Sequence, residues 1–96
     1  MKKQIIFGQP AIGKEEISYI TKVVNSKWIG SGAVTEKFED KFRKYKKSKY
    51  ALSVNSCTAA LHLSLIYCGV KSNDEVITTP MTFASTINSI AMLGAK

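Results

Sequence analysis

Between Thr58 and Cys68 the chain carries Ala59, Ala60, Leu61, Leu63, Leu65 and Ile66, which clothe a helix in apolar side chains on almost every side. A helix of this kind has no polar face to offer water, so it must be buried on several sides, as when it packs on a sheet inside a larger body. It is preceded by Tyr50-Ala51-Leu52-Ser53-Val54, a short run with β-forming residues at both ends. Ser56 or Thr58 can cap the helix, and Gly69 ends it. After a Ser72-Asn73-Asp74 turn, Glu75-Val76-Ile77-Thr78-Thr79 reads as a second strand, stopped by Pro80. A last helix is expected from about Ala84 to Leu93, with Gly94 at its end. Strand, helix and strand in succession imply parallel strands joined by a right-handed crossover, hence an α/β fold.

The first half reads differently. Residues 1–13 contain Gly8, Pro10 and Gly13 and are expected to be extended or irregular. Ile17, Ile20, Val23 and Val24 share one face of a helix over 14–26, with Glu15 and Glu16 in its first turn. Gly30, Ser31 and Gly32 mark a loop over 27–34. Thr35 is the expected N-cap of a second helix reaching about Lys46.

Composition limits the function classes. The formal net charge is +7, and Lys37, Lys41, Arg43, Lys44, Lys46, Lys47 and Lys49 supply much of it. A basic run can bind nucleic acid, but here it fills the polar positions of a helix whose other positions are Phe38, Phe42 and Tyr45, and no nucleic-acid motif accompanies it. The solvated face of an amphipathic helix is the better reading. Two cysteines, Cys57 and Cys68, and one histidine, His62, lack the spacing of a zinc site and are expected as reduced thiols and a packed or partly exposed imidazole. Gly8-Gln9-Pro10 interrupts any leader-like apolar segment, and no run is long enough to span a membrane, so a cytoplasmic protein is expected. With 96 residues starting at Met1 and ending just after a helix stop, the chain reads as the first part of a longer protein.

Ligands of open α/β sheets bind beyond the carboxyl ends of the strands. Asn55-Ser56-Cys57-Thr58 and Pro80-Met81-Thr82-Phe83 both fall at such ends. The first has the chemistry of an anion site, because unpaired N–H groups and the dipole at a helix start favour negative charge, and two hydroxyls add donors. The same residues also suit plain helix capping. Phe83 can stack on a planar ring or pack in a core. Trp28, the only tryptophan, can anchor its loop or line a substrate pocket.

Taken in order, Ser31-Gly32, Phe38-Glu39, the run Tyr50-Ala51-Leu52-Ser53-Val54-Asn55-Ser56-Cys57-Thr58-Ala59-Ala60-Leu61-His62-Leu63, Asp74-Glu75-Val76-Ile77 and Thr82-Phe83 resemble the sugar aminotransferases of the DegT/StrS type. The resemblance covers nearly the whole chain but only the first part of the family's length. It implies the N-terminal part of an aspartate-aminotransferase-like large domain (fold type I, pyridoxal 5′-phosphate), with 1–34 a helix and substrate-side loop and 35–96 the start of the cofactor domain. It further implies transfer of an amino group, usually from glutamate, to a nucleotide-linked keto-sugar, in a homodimer. By that resemblance Ser56, Cys57 and Thr58 hold the cofactor phosphate, Phe83 stacks on the pyridine ring, and Trp28, Ile29 and Gly30 lie near the substrate. Cys57 stands where the family often has Gly or Ala, a change that backbone contacts survive. The Schiff-base lysine and the carboxylate facing the pyridine nitrogen have no counterpart here and are expected beyond Lys96. Some family members remove a hydroxyl instead, as dehydratases with histidine for that lysine; a small basic nucleic-acid-binding domain is the alternative outside the family.

Overall fold

The structure, a computed structural model, describes residues 8–96. The expectation for residues 1–7 lies outside the described residues. The chain divides after Lys49 into two compact units. The first holds α1 (Lys14–Asn25) and α2 (Ala33–Lys46); the second holds α3 (Cys57–Tyr67) and α4 (Ala84–Ala91).

Each helix has an identifiable start. The Glu16 carboxylate accepts the Gly13 N–H at 2.7 Å, closing the first turn of α1, and this bond holds its pKa below the ordinary value. Two carboxylates in that turn also face the positive end of the helix dipole. α2 starts three residues before the expected Thr35 cap, at Gly32. No side chain caps this start, and the Trp28 indole lies against Gly32, where an added Cβ would stand 2.6 Å from Nε1. Along α2, Phe38 and Phe42 are one turn apart with ring centroids at 6.0 Å. Asp40 pairs with Arg43 and Lys44, each at 2.6 Å. The Lys44 and then the Arg43 hydrogen bond hold its carboxyl below the ordinary range.

Two helices end in the same hydrogen-bond closure with different residues. After α3, Gly69 (φ 80°) donates to Ile66 and Val70 donates to Leu65. After α2, Lys47 (φ 53°) donates to Lys44 and Ser48 donates to Arg43. Both are Schellman closures, which satisfy the last carbonyls by turning one residue left-handed. Glycine does so without steric cost, whereas lysine does not.

In the second unit α3 packs on α4. Ile90 is buried, and Ser89 is fully buried with its hydroxyl donating to the Ser85 carbonyl at 2.7 Å. Gly94 (φ 70°) lets the chain double back against the turn at 71–74. Asn73 N–H then donates to the Gly94 carbonyl, Lys96 N–H to Asp74, and Val76 N–H to Lys96, at 2.8–2.9 Å.

No strand forms among the described residues, so the parallel strands expected at 50–54 and 75–79 are a correction. β-propensity describes side chains that suit a pleated surface, but a strand exists only when a neighbour pairs its N–H and C=O groups. Here the two bonds flanking Glu75 involve Lys96 alone. The period-two pattern survives at 50–54, where Ala51 and Ser53 are half-buried while Tyr50, Leu52 and Val54 are exposed. Beside them, Leu63, Ile66 and Tyr67 of α3 line an apolar groove of about 660 Å³ with Leu52 and Val54. The expectation that α3 is buried on several sides is corrected: no residue of the helix is fully buried, and Leu63, Ile66 and Tyr67 are exposed. No helix of the described residues is long and apolar enough to cross a membrane.

Candidate functional site

Ser56 has extended backbone (φ −157°, ψ 156°) and its hydroxyl accepts the Ala59 N–H at 3.1 Å. Its carbonyl accepts the Ala60 N–H. Capping is thus real, and it uses one of the open donors of α3. It leaves the N–H groups of Cys57 and Thr58, with the Thr58 hydroxyl, free of any partner among the described residues. A serine hydroxyl that accepts a bond still holds its own proton, so Ser56 can cap and donate together. All three residues are exposed. No Asp, Glu, Lys or Arg occurs from Tyr50 to Val70. Any attraction for an anion here comes from oriented N–H groups and the helix dipole.

Phe83 occupies the N-cap position of α4, with φ −70° and ψ 145°. Its carbonyl accepts the Thr86 N–H, and the Thr82 and Thr86 hydroxyls share a hydrogen bond of 2.9 Å beside it. The ring is 82% exposed, so it packs in no core. The phosphate-like turn and Phe83 therefore share one compact unit, at the starts of two helices that pack together. Trp28, Ile29 and Gly30 belong to the other unit.

Around Trp28 the backbone is held by a small relay. The Ser26 hydroxyl donates to Val23 and accepts the Trp28 N–H, and the Trp28 indole N–H donates to the Ser31 carbonyl at 2.9 Å. Gly32 reads in the sequence as one of several loop glycines, and the structure makes it the seat of the indole. A glycine four residues after a tryptophan in a loop was the only signal. His62 is partly buried, and its Nδ1 finds no partner among the described residues. Both thiols are free and exposed, and no cluster of three metal-ligating side chains occurs among the described residues.

Comparison with known proteins gives this geometry its class. The chain belongs to the DegT/DnrJ/EryC1/StrS aminotransferase family, whose sequence profile matches residues 10–96. It is 53% identical over 88 residues to MJ1066 of Methanocaldococcus jannaschii, a protein of uncharacterized function. It is 46% identical over 89 residues to the spore coat polysaccharide biosynthesis protein SpsC of Bacillus subtilis. These alignments take in 92% and 93% of this chain but 23% of each relative. Among solved structures, the candidate sugar aminotransferase Spr1654 of Streptococcus pneumoniae in its PLP form matches with a TM-score of 0.87 and 33% identity, over 98% of this chain and 24% of that one. Its PMP form matches equally well. The chain therefore spans about a quarter of the length of the relatives it resembles.

Proposed function

We propose that this chain is the N-terminal portion of a pyridoxal-phosphate-dependent aminotransferase that delivers an amino group, with glutamate as donor, to a nucleotide-linked keto-sugar. The observation that carries the reading is the start of α3, where capping by Ser56 leaves two adjacent N–H groups and a threonine hydroxyl open to an anion. Family membership and the polysaccharide role named for SpsC point the same way.

The residues present fit the cofactor. Cys57 and Thr58 N–H groups, with the Ser56 and Thr58 hydroxyls, would bind the phosphate, and the exposed face of Phe83 would lie on the pyridine ring. Cys57 acts through its backbone, so its thiol needs no role. The cofactor, when bound, supplies an electron-accepting ring for amino-group transfer. The residues of this chain bind and orient it, and none of them is assigned a proton-transfer role. On this reading the large, cofactor-binding domain starts at residue 35. The full-length protein is proposed to act as a cytoplasmic homodimer.

The reading is tested by calorimetric titration of the chain with pyridoxal 5′-phosphate and with pyridoxal. Saturable binding that requires the phosphate supports it. Equal affinity for the two compounds, or binding to neither, contradicts it.

A further inference from the structure

Resting on the reading that the face of Phe83 lies on the cofactor ring, we infer that Thr82 and Thr86 are positioning residues. Their hydroxyls clasp the backbone on either side of Phe83 and hold its ring in place before the cofactor arrives. The two Oγ1 atoms are 2.9 Å apart, and Phe83, which starts α4, lies between the residues that carry them.

This bond does not serve the helix. The first N–H groups of a helix lack partners, and a serine or threonine at the start normally accepts one of them with its side chain. Ser56 does so at α3, where its hydroxyl accepts the Ala59 N–H. At α4 the start position belongs to Phe83, which has no side-chain cap. Thr82 stands one residue before that position, and its hydroxyl meets another hydroxyl rather than a backbone N–H. The pair therefore satisfies none of the open donors of α4. What it does is tie the exposed Thr82 to the half-buried Thr86, on a helix that packs against α3. The Thr86 N–H adds a second link by donating to the Phe83 carbonyl at 3.0 Å. The dihedrals enclosed by these links include φ −70° and ψ 145° of Phe83.

The ring needs such support because it has little else. A core aromatic is oriented by the side chains packed around it, but Phe83 is 82% exposed and Met81 beside it is 94% exposed. The direction of the ring then depends on its own backbone, since φ and ψ decide which rotamers are allowed. Threonine suits the clasp because its branched side chain is stiff at χ1, so each hydroxyl is nearly in place before the bond forms. A ring ordered in advance does not lose that freedom on binding, which favours association.

The test uses the chain itself, titrated calorimetrically with pyridoxal 5′-phosphate and, separately, with inorganic phosphate. Thr82→Val removes one hydroxyl and keeps the side chain's shape. It should weaken pyridoxal 5′-phosphate binding roughly 2- to 13-fold, the range for one neutral hydrogen bond. Thr86→Val should match it, and the double variant should lose no more, because the two share one bond. Thr82→Ser, which restores a hydroxyl, should recover most of the affinity. Two readouts separate positioning from plain structure. Inorganic phosphate, which needs only the start of α3, should bind Thr82→Val and the parent alike. In a Phe83→Ala background, Thr82→Val should cost nothing further. Circular dichroism should show α4 unchanged in every variant, while nitrogen relaxation in the unbound chain should show the Phe83 amide loosened by Thr82→Val. The inference alone falls if Phe83→Ala weakens binding but Thr82→Val does not. It falls likewise if Thr82→Val acts equally without the Phe83 ring, lowers phosphate affinity, or melts α4. If Phe83→Ala binds pyridoxal 5′-phosphate like the parent, the stacking role of Phe83 falls together with the clasp.

Discussion

Replacing Gly32 by alanine should release the Trp28 indole while leaving the backbone of α2 in place. Gly32 has φ 174°, extended backbone that any residue adopts, so alanine brings no conformational strain of its own. What it brings is a methyl group 2.6 Å from the indole Nε1, 3.1 Å from Cδ1 and 3.5 Å from Cε2. The ring must retreat by the better part of an ångström to reach ordinary contact distance. The bond from Nε1 to the Ser31 carbonyl, 2.9 Å long, then leaves hydrogen-bonding range. A neutral hydrogen bond of this kind contributes about 0.5–1.5 kcal/mol net, so protection of the indole N–H against solvent exchange should fall roughly 2- to 13-fold. The assay is NMR of the single indole N–H resonance, with far-UV circular dichroism as the control for α2. An unchanged exchange rate in Gly32→Ala would refute the claim that Gly32 seats the ring. Loss of α2 helicity would refute the claim that Gly32 acts through Trp28 alone.

Other outcomes follow from the same structure. Lys47→Gly should stabilise the end of α2, and Gly69→Ala should destabilise the end of α3, each by about 1–2 kcal/mol, because one relieves and the other creates a left-handed side-chain-bearing residue; amide exchange of Ser48 and Val70 reads each closure. Thr58→Val should weaken pyridoxal 5′-phosphate binding roughly 10- to 150-fold, the value of about 1.5–3 kcal/mol for a hydrogen bond to a charged group, with helicity unchanged; equal affinity would remove Thr58 from the phosphate site. The Glu16 carboxyl is lowered in the folded chain by the Gly13 N–H, so its contribution to α1 is fully present above the unfolded-state pKa and disappears as pH falls through the lowered folded value. Gly13 amide exchange should accelerate across that acidic window in the parent chain and lack the step in Glu16→Gln.

The helices were legible because their causes are local. Ile17, Ile20, Val23 and Val24 repeat at helical spacing, and Ser56 and Gly69 punctuate α3 as their chemistry dictates. The strands were not, because Val76 or Leu52 can favour an extended backbone without a neighbour to complete a ladder, and that neighbour is a tertiary fact. The start of α2 was misread for a related reason. Thr35 is the better cap by composition, but the helix starts at Gly32 without a side-chain cap, set by the path of the loop before it, which no propensity encodes. The site was legible in kind. A serine and a threonine at a helix start announce an anion site or a cap, and the structure has Ser56 capping while Thr58 stays open. What could not be read is which donors capping would consume, since that depends on the extended conformation of Ser56.

The amides of Cys57 and Thr58 are the groups on which phosphate binding at the start of α3 rests most directly. A nitrogen–proton NMR titration of the isotopically labelled chain with pyridoxal 5′-phosphate observes both. These two amides should shift most on binding, the Phe83 ring protons should shift with them, and pyridoxal lacking the phosphate should leave the two amides unmoved. Shifts that fall instead on the lysines of α2, with Cys57 and Thr58 unchanged, would contradict phosphate binding at the start of α3.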